Sequence, residues 1–174
     1  MNKALLTAIK KAAYLEGDFT TRAGKKTNYY IDKYLFETDP SILKLLAKEI
    51  AATLPALSSF DRLAAPELGA VSIAAAVALE VNKPFIIVKK QSKEYGTQKL
   101  IEGQFYKQER VVVIEDILTT GGAVLRACDI LVENNVQIIE IIGVINREEG
   151  AHEAITSKGI SYKALFTATD LRNV

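Results

Sequence analysis

Two adjacent carboxylates directly before a turn rich in threonine and glycine are the residues of this chain best suited to chemistry. Glu115 and Asp116 follow the apolar run 111–114, and Ile117 and Leu118 separate them from the turn 119–122. The apolar run predicts a buried strand, and the periodic pattern after the turn predicts a helix. Free N–H groups at a helix start bind phosphate when glycine allows close approach, and threonine hydroxyls add donors.

The acid pair limits what this turn can bind, because carboxylates repel phosphate unless a neutral or positive group lies between them. Sugar hydroxyls are such a group, and so is a magnesium ion. We therefore expect a ribose phosphate, with the acids on the hydroxyls and the turn on the phosphate. The segment has no lysine for a Walker A loop and does not fit G-x-G-x-x-G. A capping threonine beside a solvated acid pair stays open as a purely structural alternative.

The elements around this motif alternate in a regular way. Strand-like apolar runs and helical patterns follow one another from Arg62 onward, which predicts a mostly parallel sheet flanked by helices, an α/β fold. Before them lie a helical pattern, β-prone stretches around a turn, and a second helix after Asp39 and Pro40. We expect helices at 3–16, 40–54, 71–81, 122–134 and 149–159, and strands at 62–65, 84–89, 110–116, 136–146 and 160–166.

The polar segment 90–108 has no clear period, and long loops of this kind are often lids or binding loops. A solvated hairpin is the alternative. His152 is expected on the surface of a helix, and Cys128 in the packed face of one.

Composition limits the partners and the location. The 174 residues suffice for one well-buried core. The net charge of +1 gives no reason to expect nucleic acid or a membrane as partner. A single cysteine excludes an internal disulfide framework. No apolar run is long enough to span a bilayer, and no signal-peptide pattern is present, so we expect a cytoplasmic protein.

The segment Val111–Gly122 resembles the phosphoribosyl pyrophosphate (PRPP) motif of the type I phosphoribosyltransferases. Three further segments are similar to orotate phosphoribosyltransferases in the same order: "FTTRAGKKTNYYIDKYLF" at 19–36, "VKKQSKEYGTQKLIEG" at 88–103 and "INREEGA" at 145–151. The resemblance implies one phosphoribosyltransferase domain over residues 1–174. A small hood over the active site is expected from about 1–38 and the C-terminal segment, and a mobile catalytic loop at about 90–108.

The same resemblance implies transfer of 5-phosphoribosyl from PRPP to orotate, which gives orotidine 5′-phosphate and diphosphate in pyrimidine biosynthesis. A phosphoribosyltransferase for another nucleobase and a non-catalytic PRPP sensor stay open as alternatives. Asn146, Tyr95 and Glu67 depart from the family, which more commonly has aspartate, histidine and a small or neutral residue at these positions. Lys93 and Asp116 are expected to be catalytic. The expected PRPP-binding residues are Arg22, Glu67, Leu68, Gly69, Lys89, Lys90, Lys93, Tyr95, Glu115, Asp116, Ile117, Leu118, Thr119, Thr120, Gly121, Gly122 and Ala123.

Orotate is expected to contact Arg147, Thr119 and the backbone of Tyr30 and Ile31, because a guanidinium fork suits a planar acidic base. The alternative for Arg147 is a local pair with Glu148 or Glu149. The resemblance also implies a cis peptide at Glu67–Leu68. It further implies Mg²⁺ held mainly through the substrate rather than by protein ligands, and a homodimer whose catalytic loops are shared between the two active sites.

Overall fold

A computed structural model describes residues 2–20, 24, 26–91 and 99–174. Within these residues the chain alternates between strands and helices, as the sequence predicts. The elements are α1 (Lys3–Ala13), β1 (Tyr14–Thr20), β2 (Lys26–Ile31), α2 (Lys33–Glu37), α3 (Pro40–Thr53), β3 (Arg62–Pro66), α4 (Gly69–Val81), β4 (Phe85–Val88), β5 (Ile101–Glu102), β6 (Arg110–Leu118), α5 (Gly122–Glu133), β7 (Gln137–Asn146), α6 (Ala151–Thr156), β8 (Tyr162–Thr167) and α7 (Ala168–Asn173).

The main sheet has the strand order β5-β4-β3-β6-β7-β8, and β1 and β2 form a separate antiparallel pair. Every neighbouring pair in the main sheet is parallel except β4 and β5. From β3 the chain moves outward to β4, and it then returns to place β6 on the other side of β3. In open parallel sheets ligands bind beyond the carboxyl ends of the strands at such a reversal, so the ends of β3 and β6 mark the expected site.

Strand β6 is covered on both faces, which explains its unbroken apolar run. Val112 and Ile114 belong to a core that also contains residues of α1, α3 and α4. Val111 and Val113 belong to the opposite core, formed with α5 and α6. Successive side chains of a strand point to opposite faces. Glu115 and Asp116 continue this alternation, and the adjacent acids therefore point to different sides of the sheet.

The largest differences from the sequence prediction lie near the ends of the chain. The first helix was predicted to reach Glu16, which is wrong, since it ends at Ala13 and Tyr14 already pairs with Ile31 in a strand. Helical periodicity continues past Ala13, but pairing with a partner strand decides the backbone. The short elements α2, β5 and α7 were not predicted.

The N-terminal elements and the C-terminal helix pack together, where the hood was expected. The ammonium of Lys10 donates to the carbonyl of Val174 at 2.7 Å, and the Arg172 guanidinium lies 6.0 Å from the centre of the Tyr29 ring. Leu5 and Ile9 of α1 are fully buried in the same core as the main sheet. This part of the chain thus packs against the main sheet.

Two minor predictions are confirmed. His152 is exposed on α6. Cys128 is buried in α5, and burial raises the pKa of its thiol to about 12, which leaves it unreactive as a nucleophile. No helix in the described part of the chain combines the length and apolar character needed to cross a membrane.

Candidate active site

A cleft of about 300 Å³ opens at the strand reversal. The ends of three strands supply one side of it, and the outer face of α5 supplies the other. Its lining includes Pro66 and Glu67 after β3, Val88, Lys89 and Lys90 after β4, Glu115, Asp116 and Ile117 of β6, Ala123 and Arg126 of α5, and Lys33 of α2. The sequence predicted seven of these residues as PRPP ligands: Glu67, Lys89, Lys90, Glu115, Asp116, Ile117 and Ala123.

The acid pair is almost completely enclosed, with Glu115 and Asp116 7% and 3% exposed. One oxygen of Asp116 accepts a hydrogen bond from the N–H of Ile117, and the other forms an ion pair with the ammonium of Lys33. Glu115 Oε2 is buried without a hydrogen-bond partner among the described residues. Buried polar groups are normally paired, so Glu115 Oε2 remains available to a bound ligand.

A third acid, Glu37 of α2, lies on the Asp116 side and is 2% exposed. Burial, and after it the charge of Asp116, raises the pKa of Glu37 to about 8. The same two causes, in the same order, raise the pKa of Glu115 well above its ordinary value. Burial alone would lower the pKa of Lys33, but the charge of Asp116 and its hydrogen bond outweigh burial and raise it. Burial and the charge of Asp116 therefore favour the neutral forms of Glu37 and Glu115, whereas Asp116 has the ammonium of Lys33 as its partner.

The turn 119–122 forms a second hollow of about 80 Å³ beside the acid pair. It leads into the twelve-residue helix α5, whose first turn has no acidic residue and whose N-cap makes no side-chain hydrogen bond. Among the described residues no N-cap side chain pairs with the first N–H groups of α5, and such groups at a helix start can bind an anion. Gly121 has φ +80°, and a Cβ there would lie 3.4 Å from Cα of Ala151, so the tight turn requires glycine.

The loop between β3 and α4 carries the predicted cis peptide, which the structure has at Glu67–Leu68. The side chain of Leu68 is 66% exposed. Glu67 donates its N–H to the carbonyl of Val88 at 2.9 Å, and its carboxylate accepts the N–H of Lys90 at 2.8 Å. This acid, unusual for the family at that position, thus attaches the loop to the residue where segment 90–108 begins.

The predicted PRPP-binding residues of segment 88–103 divide into three groups. Lys89 is 8% exposed and forms an ion pair of 2.7 Å with Glu102 of β5. Lys90 is exposed at the rim of the cleft. Lys93 and Tyr95, like Arg22 of the hood, lie outside the described residues, and the roles expected for them stay predictions.

Arg147 lies directly after β7, beside the turn 119–122. Its N–H donates to the carbonyl of Leu118 at 2.8 Å, and the N–H of Ala151 donates to the carbonyl of Thr119 at 3.1 Å. The guanidinium lies 5.4 Å from the centre of the Tyr29 ring and 2.9 Å from Glu149. The local pair considered for Arg147 is therefore present, yet its buried Nε has no hydrogen-bond partner among the described residues.

Asn146 and Glu148 hold the loop around Arg147. The Asn146 side chain accepts the N–H of Glu148 at 2.8 Å, and the carboxylate of Glu148 accepts the hydroxyl of Thr169 at 2.7 Å. Tyr30 and Ile31 lie at the end of β2, and Tyr30 is 46% exposed. They lie just before Lys33, whose ammonium reaches Asp116.

Sequence reasoning missed Lys33 and Glu37. The only available signal is their spacing of four residues, which places both on one face of a short helix. Nothing in the sequence shows that this face packs on the carboxyl end of β6, because that contact joins residues 83 positions apart.

Comparison with known proteins agrees with this geometry. The sequence profile of the phosphoribosyl transferase domain matches residues 40–161. The chain is 46% identical to an orotate phosphoribosyltransferase of Pyrococcus abyssi over 89% of its own length and 86% of the relative. It is 38% identical to one from Methanocella arvoryzae over 98% and 97% of the two chains. The crystal structure of an orotate phosphoribosyltransferase from Aeropyrum pernix superposes with a TM-score of 0.88 at 27% identity, covering 97% and 96%.

Proposed function

Because the chain belongs to the orotate phosphoribosyltransferase family, we infer that it transfers the 5-phosphoribosyl group of PRPP to N1 of orotate. The products are orotidine 5′-phosphate and diphosphate, in pyrimidine biosynthesis. The fold is that of the type I phosphoribosyltransferases. The observation that carries this function is the juxtaposition of an acid pair and an uncapped helix N-terminus at the strand reversal.

Different residues along the cleft would bind different parts of PRPP. The turn 119–122 would hold the 5-phosphate, since free N–H groups at a helix start favour an anion. Glu115 and Asp116 would accept hydrogen bonds from the ribose hydroxyls, which lie next to the phosphate in the donor. Diphosphate would leave between the loop at 67–69 and the cations Lys89 and Lys90. Asp116 would also stabilise the positive charge that develops on the ribose ring as that bond breaks.

Magnesium fits this site as an ion that the donor carries. Among the described residues no group of three or more histidine, cysteine, aspartate or glutamate side chains is arranged to hold a metal, and Asp116 is already paired with Lys33. The ion would neutralise the diphosphate as it leaves. We expect activity to disappear when a chelator removes magnesium and to return in full when magnesium is restored.

The choice of base rests on Arg147 and the end of β2. Arg147 is 14% exposed in its side chain, lies beside the phosphate turn, and keeps one buried donor unpaired. A guanidinium suits the carboxylate and carbonyl of orotate better than a purine, which lacks the carboxylate.

The reaction can be tested directly. The protein is incubated with PRPP and magnesium and with orotate, uracil, adenine, guanine or hypoxanthine in turn, and nucleotide formation is followed by chromatography. Turnover of orotate alone is expected. Turnover of a purine but not of orotate would show that the protein is a phosphoribosyltransferase for another nucleobase. PRPP binding without turnover of any base would favour a non-catalytic PRPP sensor.

The shared-loop homodimer and the cytoplasmic location stay predictions. If loop 90–108 reaches over the neighbour's site, Lys93→Ala and Arg147→Ala would each abolish activity, and mixing them would restore it. A heterodimer would then hold one site with both defects and one with neither. Absence of activity after subunit exchange, confirmed by native mass spectrometry, would show that each loop closes over its own subunit.

A further inference from the structure

Three segments that are distant in sequence meet at the carboxylate of Asp116. The ammonium of Lys33, from α2, forms an ion pair with it, and the side chain of Lys33 is 29% exposed toward the cleft. Gly69, the first residue of α4, lies against both groups: a Cβ built there would overlap the Asp116 carboxylate and press on the Lys33 ammonium. Because Gly69 has no side chain, Lys33 and Asp116 can meet beside the loop at 67–69.

The groups around Lys33 show which carboxylate its ammonium pairs with. Glu37 lies one turn later on the same short helix, and Glu115 lies next to Asp116 on the strand. Both of these acids have raised pKa values, whereas Asp116 has the lysine as its partner. The Lys33 ammonium also lies 5.3 Å from the centre of the Tyr34 ring. Of these three carboxyl groups, all in the described part of the chain, only that of Asp116 forms an ion pair with Lys33, and this pair fixes the orientation of the Asp116 carboxylate.

The position of Lys33 in the chain connects two parts of the site. It follows Ile31 by two residues, and Asp32 N–H donates to the carbonyl of Ala13 at 2.9 Å, which fixes the start of α2 on the N-terminal helix. The segment expected to lie against the base is therefore joined to the segment expected to bind the ribose. A residue that only stabilised the fold would not need to line the cleft.

We propose that Lys33 is a positioning residue for phosphoribosyl transfer: its ammonium holds the carboxylate of Asp116 in the orientation that the ribose hydroxyls require and ties the hood segment to the donor site. This inference rests on the proposed function. Lys33 acts through Asp116, and its loss should therefore impair the chemical step and donor binding more than orotate binding. Displacement of a reacting group by about 1 Å can lower a rate about 100-fold.

A set of matched variants tests the inference. Lys33→Met removes the charge and keeps the length of the side chain, Lys33→Arg keeps the charge, and Lys44→Met removes an equal charge from the exposed face of α3. We expect Lys33→Met to lower kcat about 10- to 100-fold, with the KM for orotate changed less than about threefold. Lys33→Arg should recover most of the lost rate, and Lys44→Met should equal the wild type.

A double-mutant cycle with Asp116→Asn separates positioning from an independent effect. If Lys33 acts through Asp116, the double variant Lys33→Met/Asp116→Asn should be no slower than Asp116→Asn alone. Multiplied losses would overturn the proposal, and so would a folded Lys33→Met enzyme with normal kcat. The double variant removes both charges, so it leaves no unpaired buried charge and should fold. If the single variant Lys33→Met does not fold, Lys33→Gln takes its place in the cycle.

Calorimetric titration with PRPP and magnesium gives a readout that does not depend on turnover. Lys33→Met should bind the donor at least about fivefold more weakly than the wild type, and Lys44→Met should bind it equally well. Unchanged donor binding by Lys33→Met would contradict the proposal. If the wild type binds PRPP but turns over no base, the proposed function fails, while the comparison of donor binding still decides the role of Lys33.

Discussion

Replacing Glu37 by glutamine should change how the stability of the fold depends on pH. Glu37 is 2% exposed, and its Oε1 has no hydrogen-bond partner among the described residues. Burial, and then the charge of Asp116, raises its pKa from 4.5 to about 8. In the unfolded chain the group ionises near its ordinary pKa, while in the folded protein it keeps its proton until about pH 8.

The sign follows from proton linkage. Between pH 4.5 and about 8 the unfolded state binds fewer protons than the folded state, so the free energy of unfolding falls as pH rises. One pKa unit corresponds to about 1.4 kcal/mol, and the full difference sets an upper limit of about 5 kcal/mol. The shift of Glu37 depends on a buried cluster of charged groups, and relaxation of this cluster should reduce the observed loss to about 2–3 kcal/mol. Glutamine cannot ionise and abolishes this loss.

Urea unfolding at about pH 5 and about pH 8.5, at one protein concentration, measures the effect. Relative to the wild type, the Glu37→Gln variant should gain about 2 kcal/mol or more between the two pH values. Glu133→Gln, an exposed substitution on α5, should show no such gain. An equal stability difference at both pH values, within about 0.5 kcal/mol, would refute the reasoning and would mean that Glu37 is ionised in the folded protein.

Three further substitutions test the site itself. Gly69→Ala should lower kcat/KM at least about 10-fold, because the added methyl group displaces Asp116 and overpacking costs about 1–3 kcal/mol; normal turnover would mean that the ion pair can shift without loss. Asp116→Asn should cost about 2–4 kcal/mol of transition-state stabilisation, measured as kcat; early melting with normal turnover in the cold would make the acid structural. Arg147→Lys should raise the KM for orotate and leave that for PRPP unchanged, because lysine lacks the guanidinium fork; equal losses toward both substrates would place Arg147 outside the base site.

The sequence alone was sufficient to predict the turn 119–122 and the parallel strands of the main sheet. The run Val111–Ile114 and the turn 119–122 are contiguous, and local rules connect such residues: buried parallel strands are continuously apolar, and a helix start after glycine binds anions. The order of strands and helices from Arg62 onward has the same local origin. Glu67 was singled out by its departure from the family pattern, but its bond to the N–H of Lys90 could not be predicted.

What only the tertiary structure decided is the electrostatic state of the acid pair. In sequence, Glu115 and Asp116 are equivalent neighbours. In the fold, the strand alternation sends them to opposite faces of the sheet, and only Asp116 meets the ammonium of Lys33, which lies 83 positions earlier in the chain. The protonation of Glu37 and Glu115 depends on burial and on a neighbouring charge, and both exist only after packing. Local patterns therefore determine which groups end a strand, while packing between distant segments determines their charge and orientation.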